Sequence, residues 1–431
     1  MIVPSRRLLV FAIVIAVPAA AATSLAADLA PVGWLVLAAG ALFAFADAFF
    51  CLTRAEAIQL KTVSSLPLTK GLAAPLPVRV ENLTRRVIAL RVAVTAPPGV
   101  SVSEPVRELL SPAGTTVLEW PCTGQARGDH ALGELHAEIQ SPLHLWFLRS
   151  RFPSGCTLRV YPNLRDRATA AIFLRSAGAG IRRRRQLGKG KEFENLRHYM
   201  PGDSFEDVHW KATARRAFPM VKLYNVEHAQ EVYAIIDCSR LSAREGALDR
   251  FVEAALHLAL IANSQRDRFG LATFSDSTGQ FVRAASGLAH FRLCRESIYR
   301  LAPRRVSPDF RDVFTALATT LRRRALLLFF TALDDALLAE TFEHDVSLLA
   351  RRHVVLVNVV TPSGGKPLFQ SEPEALDDLY GSLAAQISWN RMRRLQISLQ
   401  NHGVRLAMVD AARLKLEVAT QYMEVKGRQV L

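Results

Sequence analysis

The sequence has no cysteine spacing of the kind that metal ribbons or disulfide frameworks use. Its five cysteines, Cys51, Cys122, Cys156, Cys238 and Cys294, are scattered over 431 residues without a CxxC pair. An odd, dispersed set excludes a stapled secreted scaffold and fits reduced thiols in the cytosol. Missing too are the G-x-S-x-G elbow, the phosphate-cradling P-loop, the H-E-x-x-H helix and the dinucleotide fingerprint. These absences remove the motif-bearing hydrolases, nucleotide-dependent enzymes and dehydrogenases, so the expectation is a protein that is not an enzyme. A hydrolase using Asp237 with His209 or His228 would rest on nothing beyond the presence of those residues.

Acidic residues are also scarce. Asp and Glu number 39 against 54 Lys and Arg, a net charge of +15. Such a balance invites a nucleic-acid reading. The arginines, however, come in short clusters, at 182–185, 322–324, 351–352 and 393–394, with no zinc finger, no RNP-type aromatic motif and no basic tail. No nucleic acid is expected. For a membrane-tethered protein, anionic lipid headgroups are the simpler counter-charge.

What the chain does have is apolar sequence. Two runs, residues 8–27 and 32–52, are each about twenty residues long, enough for a helix to cross a bilayer. Only "DLAP" separates them, so they read as a two-helix transmembrane hairpin over residues 1–53. Arg6 and Arg7 precede the first run, Arg54 and Lys61 follow the second, and the turn between carries no Lys or Arg. The positive-inside rule then places the N-terminus and everything after the hairpin in the cytoplasm, at the inner membrane. The competing reading is a cleaved secretory signal, which would leave the second run with basic residues on the wrong flank. Asp47, inside the second run, has two explanations: snorkelling to the interface or a helix–helix contact.

Residues 57–162 alternate apolar and polar residues, with Pro, Gly and Asn at roughly ten-residue intervals, the signature of a small antiparallel β-sandwich. Residues 163–231 are charged and turn-rich yet hold Phe193, Tyr199, Phe205, Trp210, Phe218 and Tyr224, so they read as an ordered segment packed on the next domain. From 232 to 431 six apolar strand candidates alternate with amphipathic stretches, among them 247–265, 289–301, 310–324, 336–352 and 374–401. That alternation implies a doubly wound α/β domain with a mainly parallel sheet.

In such a sheet ligands bind beyond the carboxyl ends of the strands, and Asp237 closes the first strand, "VYAIID". A hard cation such as Mg²⁺ takes about six oxygens in octahedral array, and an Asp-x-Ser-x-Ser turn can supply three. Here Asp237 and Ser239 fit, but Leu241 holds the third position and Ser242 is out of register. Pro308 precedes Asp309 where a Thr ligand is wanted, and Thr331-Ala332 stands where an Asp is wanted, with Asp334 and Asp335 just beyond. The set Asp237, Ser239, Asp309 and Asp334 is therefore a degenerate cation site, with Asp237 capping its own loop as the alternative use. No cofactor is required by the pattern; Mg²⁺ is the candidate, and a metal-dependent adhesion-type binding domain with a live cation site is the alternative function.

The run from "GKGKEFENLRHYMPGD" through "WKATARR" to "DCSR" closely resembles the signature of the DUF58 family. Gly188, Gly190, Glu192, Phe193, Leu196, Arg197, Tyr199, Pro201, Gly202, Asp203, Trp210, Lys211, Ala214 and Arg215 match it one by one. The resemblance implies a von Willebrand factor A-like domain, and a metal-dependent adhesion site that the departures at Leu241, Pro308 and Ala332 put in doubt. It also implies an adaptor role beside a protein partner, a MoxR-type AAA+ ATPase. Within the signature, Pro201-Gly202-Asp203 is turn chemistry, and Trp210, Lys211 and Arg215 share one side of a short helix. Arg197 and Arg215 are the residues expected to meet Glu192 or Asp203 in an ion-pair network.

Overall fold

The computed structural model describes residues 1–25, 30–55, 57–164, 187–200, 203–216, 218–225, 229–361 and 376–428. They form two compact units, Met1–Asn163 and Leu164–Leu431.

The first unit is written in period two. Along Ile88–Val94, Ile88, Leu90, Val92 and Val94 are buried and the residues between them less so, as a pleated strand needs when one face meets a core. Five strands make one antiparallel sheet in the order Ile2–Pro4, Trp146–Phe152, Leu135–Gln140, Ile88–Val94 and Val106–Ser111. Four more form a second, in the order Ile58–Thr62, Ala73–Asn82, Gly114–Gly124 and Val100–Val102. A small third sheet adds one parallel pair, Ser65–Thr69 with Thr157–Tyr161. Trp120 and the inward aliphatics fill the core. The antiparallel β-rich region expected at 57–162 is present.

The two apolar runs become helices Arg6–Leu25 and Ala30–Ala55. They pack on each other: Phe11 and Phe43 stand 5.9 Å apart between ring centroids. A side chain at Gly40 would begin 2.9 Å from Ile15 Cδ1, so glycine sets that approach. Among the described residues, Pro31–Leu52 is the one stretch long and apolar enough to cross a membrane. Asp28 and Leu29 of the "DLAP" turn lie outside the described residues.

These fifty-odd residues do not stand apart from the β-rich region. Ile2–Pro4 joins the five-stranded sheet, and Cys51 enters the sandwich core. Neither snorkelling nor a helix–helix contact accounts for Asp47. It is 2% exposed and accepts from Ser141 Oγ at 2.6 Å and from the Leu143 amide at 3.0 Å. The same turn is held twice more, by Trp146 Nε1 donating to the Ala44 carbonyl at 2.9 Å and by Ser5 Oγ donating to the His144 carbonyl at 2.6 Å. Both helices are thus fastened at one turn, residues 141–146.

In the second unit six strands form a sheet in the order Thr278–Ala285, Arg268–Phe274, Glu231–Asp237, Ala325–Thr331, Val354–Val360, Arg405–Val409. All neighbours run parallel except the edge strand Thr278–Ala285. The central strands are continuously apolar because both faces are covered; Ala325–Thr331 is buried at every position. Ala247–Ser264, Leu288–Ile298 and Leu414–Arg428 cover one face. Phe310–Thr320, Ala336–Ala350 and the later turns of Leu376–Asn401 cover the other, around a packed cluster of Phe310, Phe314, Phe329 and Phe342. The expected α/β alternation and mainly parallel sheet are present, with the helix Leu414–Arg428 added.

Candidate cation site and the signature ribbon

The strand order reverses between Glu231–Asp237 and Ala325–Thr331, the place where open α/β sheets make room for a ligand. Register brings Ile236 beside Phe330, so the next residues, Asp237 and Thr331, meet at the carboxyl end. Thr331 Oγ1 donates to Asp237 Oδ2 at 2.6 Å, and the Ser239 amide donates to Oδ1 at 2.7 Å. Asp237 is 0% exposed. Burial pushes its carboxyl up from the ordinary range, against the pull of its Thr331 and Ser239 hydrogen bonds.

The burial has a definite cause. Arg304 N donates to the Cys238 carbonyl at 2.7 Å and Arg240 N to the Val306 carbonyl at 2.9 Å, so residues 304–306 lie across the strand end. Ser239 turns its hydroxyl inward to cap the short helix that follows, accepting from the Leu241 amide. Leu241 itself is buried, and Ser242 Oγ donates to the Ser239 carbonyl at 2.9 Å. The residue that breaks the Asp-x-Ser-x-Ser pattern is therefore a core side chain.

The remaining acids are engaged elsewhere. Asp309 accepts from the Asp312 amide at 3.1 Å and caps the helix Phe310–Thr320. Arg244 donates to Asp334 at 3.3 Å. Asp335 caps Ala336–Ala350 and receives Arg240 at 3.2 Å, while Arg304 reaches Ser275 and Asp276. Three guanidinium groups thus pair with acids around the rim. Among the described residues no group of three or more His, Cys, Asp or Glu is placed to hold a metal ion. The set is poor for Mg²⁺ as it stands: each Asp237 oxygen already accepts a hydrogen bond inside the fold, and three arginines line the rim.

Nucleophiles fare no better. All five cysteines are buried, and burial raises the Cys122 thiol to about 11 and that of Cys294 to about 12. His209 Nδ1 accepts from the Ala212 amide at 3.0 Å, capping the short helix it precedes. His228 lies outside the described residues.

The signature segment forms its own two-stranded ribbon, Leu187–His198 against Met220–Asn225. Leu187 and Glu192 both face Asn225, so the residues between them, Gly188 and Gly190 included, bulge from the ladder, a place that suits glycine. Phe193 pairs with Tyr224, Leu196 with Lys222 and Arg197 with Val221. Pro201 and Gly202 lie outside the described residues. Asp203 accepts from Arg197 Nη2 at 2.5 Å and from the Met200 amide at 2.9 Å. The Arg197 hydrogen bond first, then that amide, hold its carboxyl below the usual range. Arg215, by contrast, is exposed and has no ion pair among the described residues. Trp210, Lys211, Ala214 and Arg215 all lie on the helix Trp210–Arg216, of which no residue is buried. Tyr199 is half-buried, its ring tilted against that of Phe205 with centroids 5.7 Å apart. Phe205, Trp210 and Phe218, expected to be packed away, are exposed.

Sequence reasoning did not single out Arg240, Arg244 or Arg304, nor give Thr331 its role. A polar Thr ending a strand of otherwise apolar residues, level with Asp237, was the available signal for Thr331. No local pattern marks the arginines, because their partners lie tens of residues away.

Residues 195–367 match the family described as "Protein of unknown function DUF58". No curated protein matches the chain. Among solved structures the chain is similar to the conserved hypothetical protein BatB from Bacteroides thetaiotaomicron, at 13% identity over 46% of this chain and 99% of that one, with a TM-score of 0.30. It is also similar to an aerotolerance-related membrane protein from Bacteroides fragilis, at 11% identity over 46% and 98%, with a TM-score of 0.28.

Proposed function

From the premise that residues 195–367 belong to the DUF58 family, we propose a membrane-anchored, non-enzymatic adaptor that binds a protein partner without a metal ion. Its six-stranded sheet is read as von Willebrand A-like. The observation that carries this reading is the closed state of Asp237: fully buried, with both oxygens held by Thr331 and Ser239. A working adhesion site needs that carboxylate ionised, open and shared with other ligands, and each neighbouring acid serves a helix cap or an arginine instead. The partner that the family resemblance implies is a MoxR-type AAA+ ATPase.

The anchoring half of the proposal is supported by the first unit. The helices Arg6–Leu25 and Ala30–Ala55 are read as a transmembrane hairpin, a reading supported by Ser5 and Asp47, which hold the beginning of one and the end of the other to the same turn. Two helices fastened so leave both flanks on one side, and the flanking Arg6 and Arg7 make that side cytoplasmic.

The test is affinity capture of the full chain from detergent-solubilised membranes, in Mg²⁺ and in EDTA, with Asp237→Asn alongside. The same partner should co-purify in all four preparations. A nucleotide-free partner retained only by wild-type protein in Mg²⁺ would mean a live cation site. Absence of any specific partner would remove the adaptor reading.

A further inference from the structure

The signature ribbon carries a surface that the adaptor reading does not use. The last ladder pair of the ribbon is His198 with Met220, and the Tyr199 amide donates to the Pro219 carbonyl just beyond it. The described residues between 199 and 219 are therefore gathered at one end. The small core there is complete: Val208, Met220 and Val221 are buried, His209 N donates to the Met220 carbonyl at 2.7 Å, and the Met220 amide donates to Thr213 Oγ1 at 3.0 Å. The large apolar side chains stay outside it. Phe205 is 72% exposed, Trp210 69%, Met200 61% and Phe218 54%. Four large apolar side chains exposed within one end of the ribbon are more than scattered surface residues, and exposed apolar surface of this kind marks interaction sites.

The charge beside them indicates the occupant. The helix Trp210–Arg216 reads WKATARR, with three exposed cations and no acid. Of the acids at this end, Asp203 is neutralised by Arg197, and Glu206 and Asp207 sit before the helix. Trp and Phe next to Lys and Arg are the side chains that settle at a bilayer's headgroup level, rings among the acyl carbonyls and cations among the phosphates. A protein groove would offer the aromatics pockets, but three cations with no ion pair among the described residues ask for a dense anionic face. We infer that this end of the ribbon is a membrane-surface contact, with Trp210, Phe205, Met200 and Phe218 entering the interface of an anionic leaflet and Lys211, Arg215 and Arg216 meeting its phosphates. This rests on the membrane-anchored reading above. Tethering supplies what the patch lacks in strength, because an anchored surface meets the leaflet at high effective concentration.

Tryptophan quenching by brominated acyl chains tests it on the full chain reconstituted in vesicles. Trp34, exposed on the apolar helix, reports the anchor, and Trp210 reports the patch. With phosphatidylglycerol present, Trp34→Phe and Trp210→Phe should each remove about one residue's share of the quenching. The Trp210 share should fall in purely zwitterionic vesicles and in Lys211→Gln/Arg215→Gln/Arg216→Gln. If Trp34 is quenched while Trp210→Phe changes nothing, the patch faces water or a protein and the inference is overturned with the anchor intact. If Trp34 is not quenched either, the anchored reading and the inference both fall. Trp210 is exposed, so the Phe variant leaves the fold in place.

Discussion

Asp47 in the first unit and Asp237 in the second are both buried within apolar sequence, and the two are used differently. Asp47 in the first unit takes hydrogen bonds from a single turn, through Ser141 and Leu143, and fastens a helix to a sandwich. Asp237 in the second takes one from its own loop and one from the neighbouring strand, and seals a sheet end. Both would attract a functional reading, one as an ionisable group in a membrane-length helix and the other as a metal ligand. In both cases the donors are protein groups already in place. A buried carboxylate is a site only when something is left for a ligand to take.

The largest effect is expected where a latch joins two elements. Asp47→Ala leaves the Ser141 hydroxyl proton and the partly buried Leu143 amide without their acceptor, and an unsatisfied group costs about 1–3 kcal/mol. Unfolding of the first unit should shift by about 3 kcal/mol, followed by urea denaturation of the solubilised chain, with earlier proteolysis at 141–146. An unchanged transition would mean that the turn is held by Trp146 and Ser5 without Asp47.

Asp237→Ala should cost less, about 2 kcal/mol, and Asp237→Asn should separate hydrogen bonding from charge. The folded carboxyl is raised above its ordinary value. Its stabilising contribution is therefore complete below the unfolded value and is lost as pH rises through the folded one. Thermal midpoints at rising pH should show Asp237→Asn gaining on wild type, ending no lower than it at pH 8. A wild type that gains on the Asn variant instead would show an ionised, useful carboxylate.

The smallest effect belongs to Arg197→Ala. Asp203 sits below its usual range because of Arg197, so a carboxyl NMR titration should find it moved back up in the variant. With the folded value depressed, whatever the pair contributes is present above the ordinary carboxylate range and lost as pH falls. The main unfolding transition should not move, as expected of a partly exposed pair.

Much of the architecture was legible. Continuous apolar strands such as "ALLLFF" and the alternation of "IALRVAV" each announce their burial, on two faces and on one. The helix Leu414–Arg428 was missed although Leu414, Val418, Tyr422 and Val425 recur at helical spacing, because it follows the last strand closely and is interrupted by polar residues. Ile2–Pro4 was hidden by its length: three residues carry no period. The latches could not be read in any window, since Asp47 to Ser141 and Asp237 to Thr331 each span 94 positions. The departures at Leu241 and Ala332 could be read locally, whereas the paired arginines and the 304–306 backbone beside Asp237 could not.

The measurement that bears most directly on this account is the unfolding midpoint of the second unit in the full chain, in EDTA and across rising Mg²⁺ and Mn²⁺. A cation bound at a hundred times its dissociation constant would stabilise the fold by about 2.7 kcal/mol. The closed Asp237 predicts no shift for wild type and none for Asp237→Asn. A saturable rise in wild type that Asp237→Asn abolishes would contradict it.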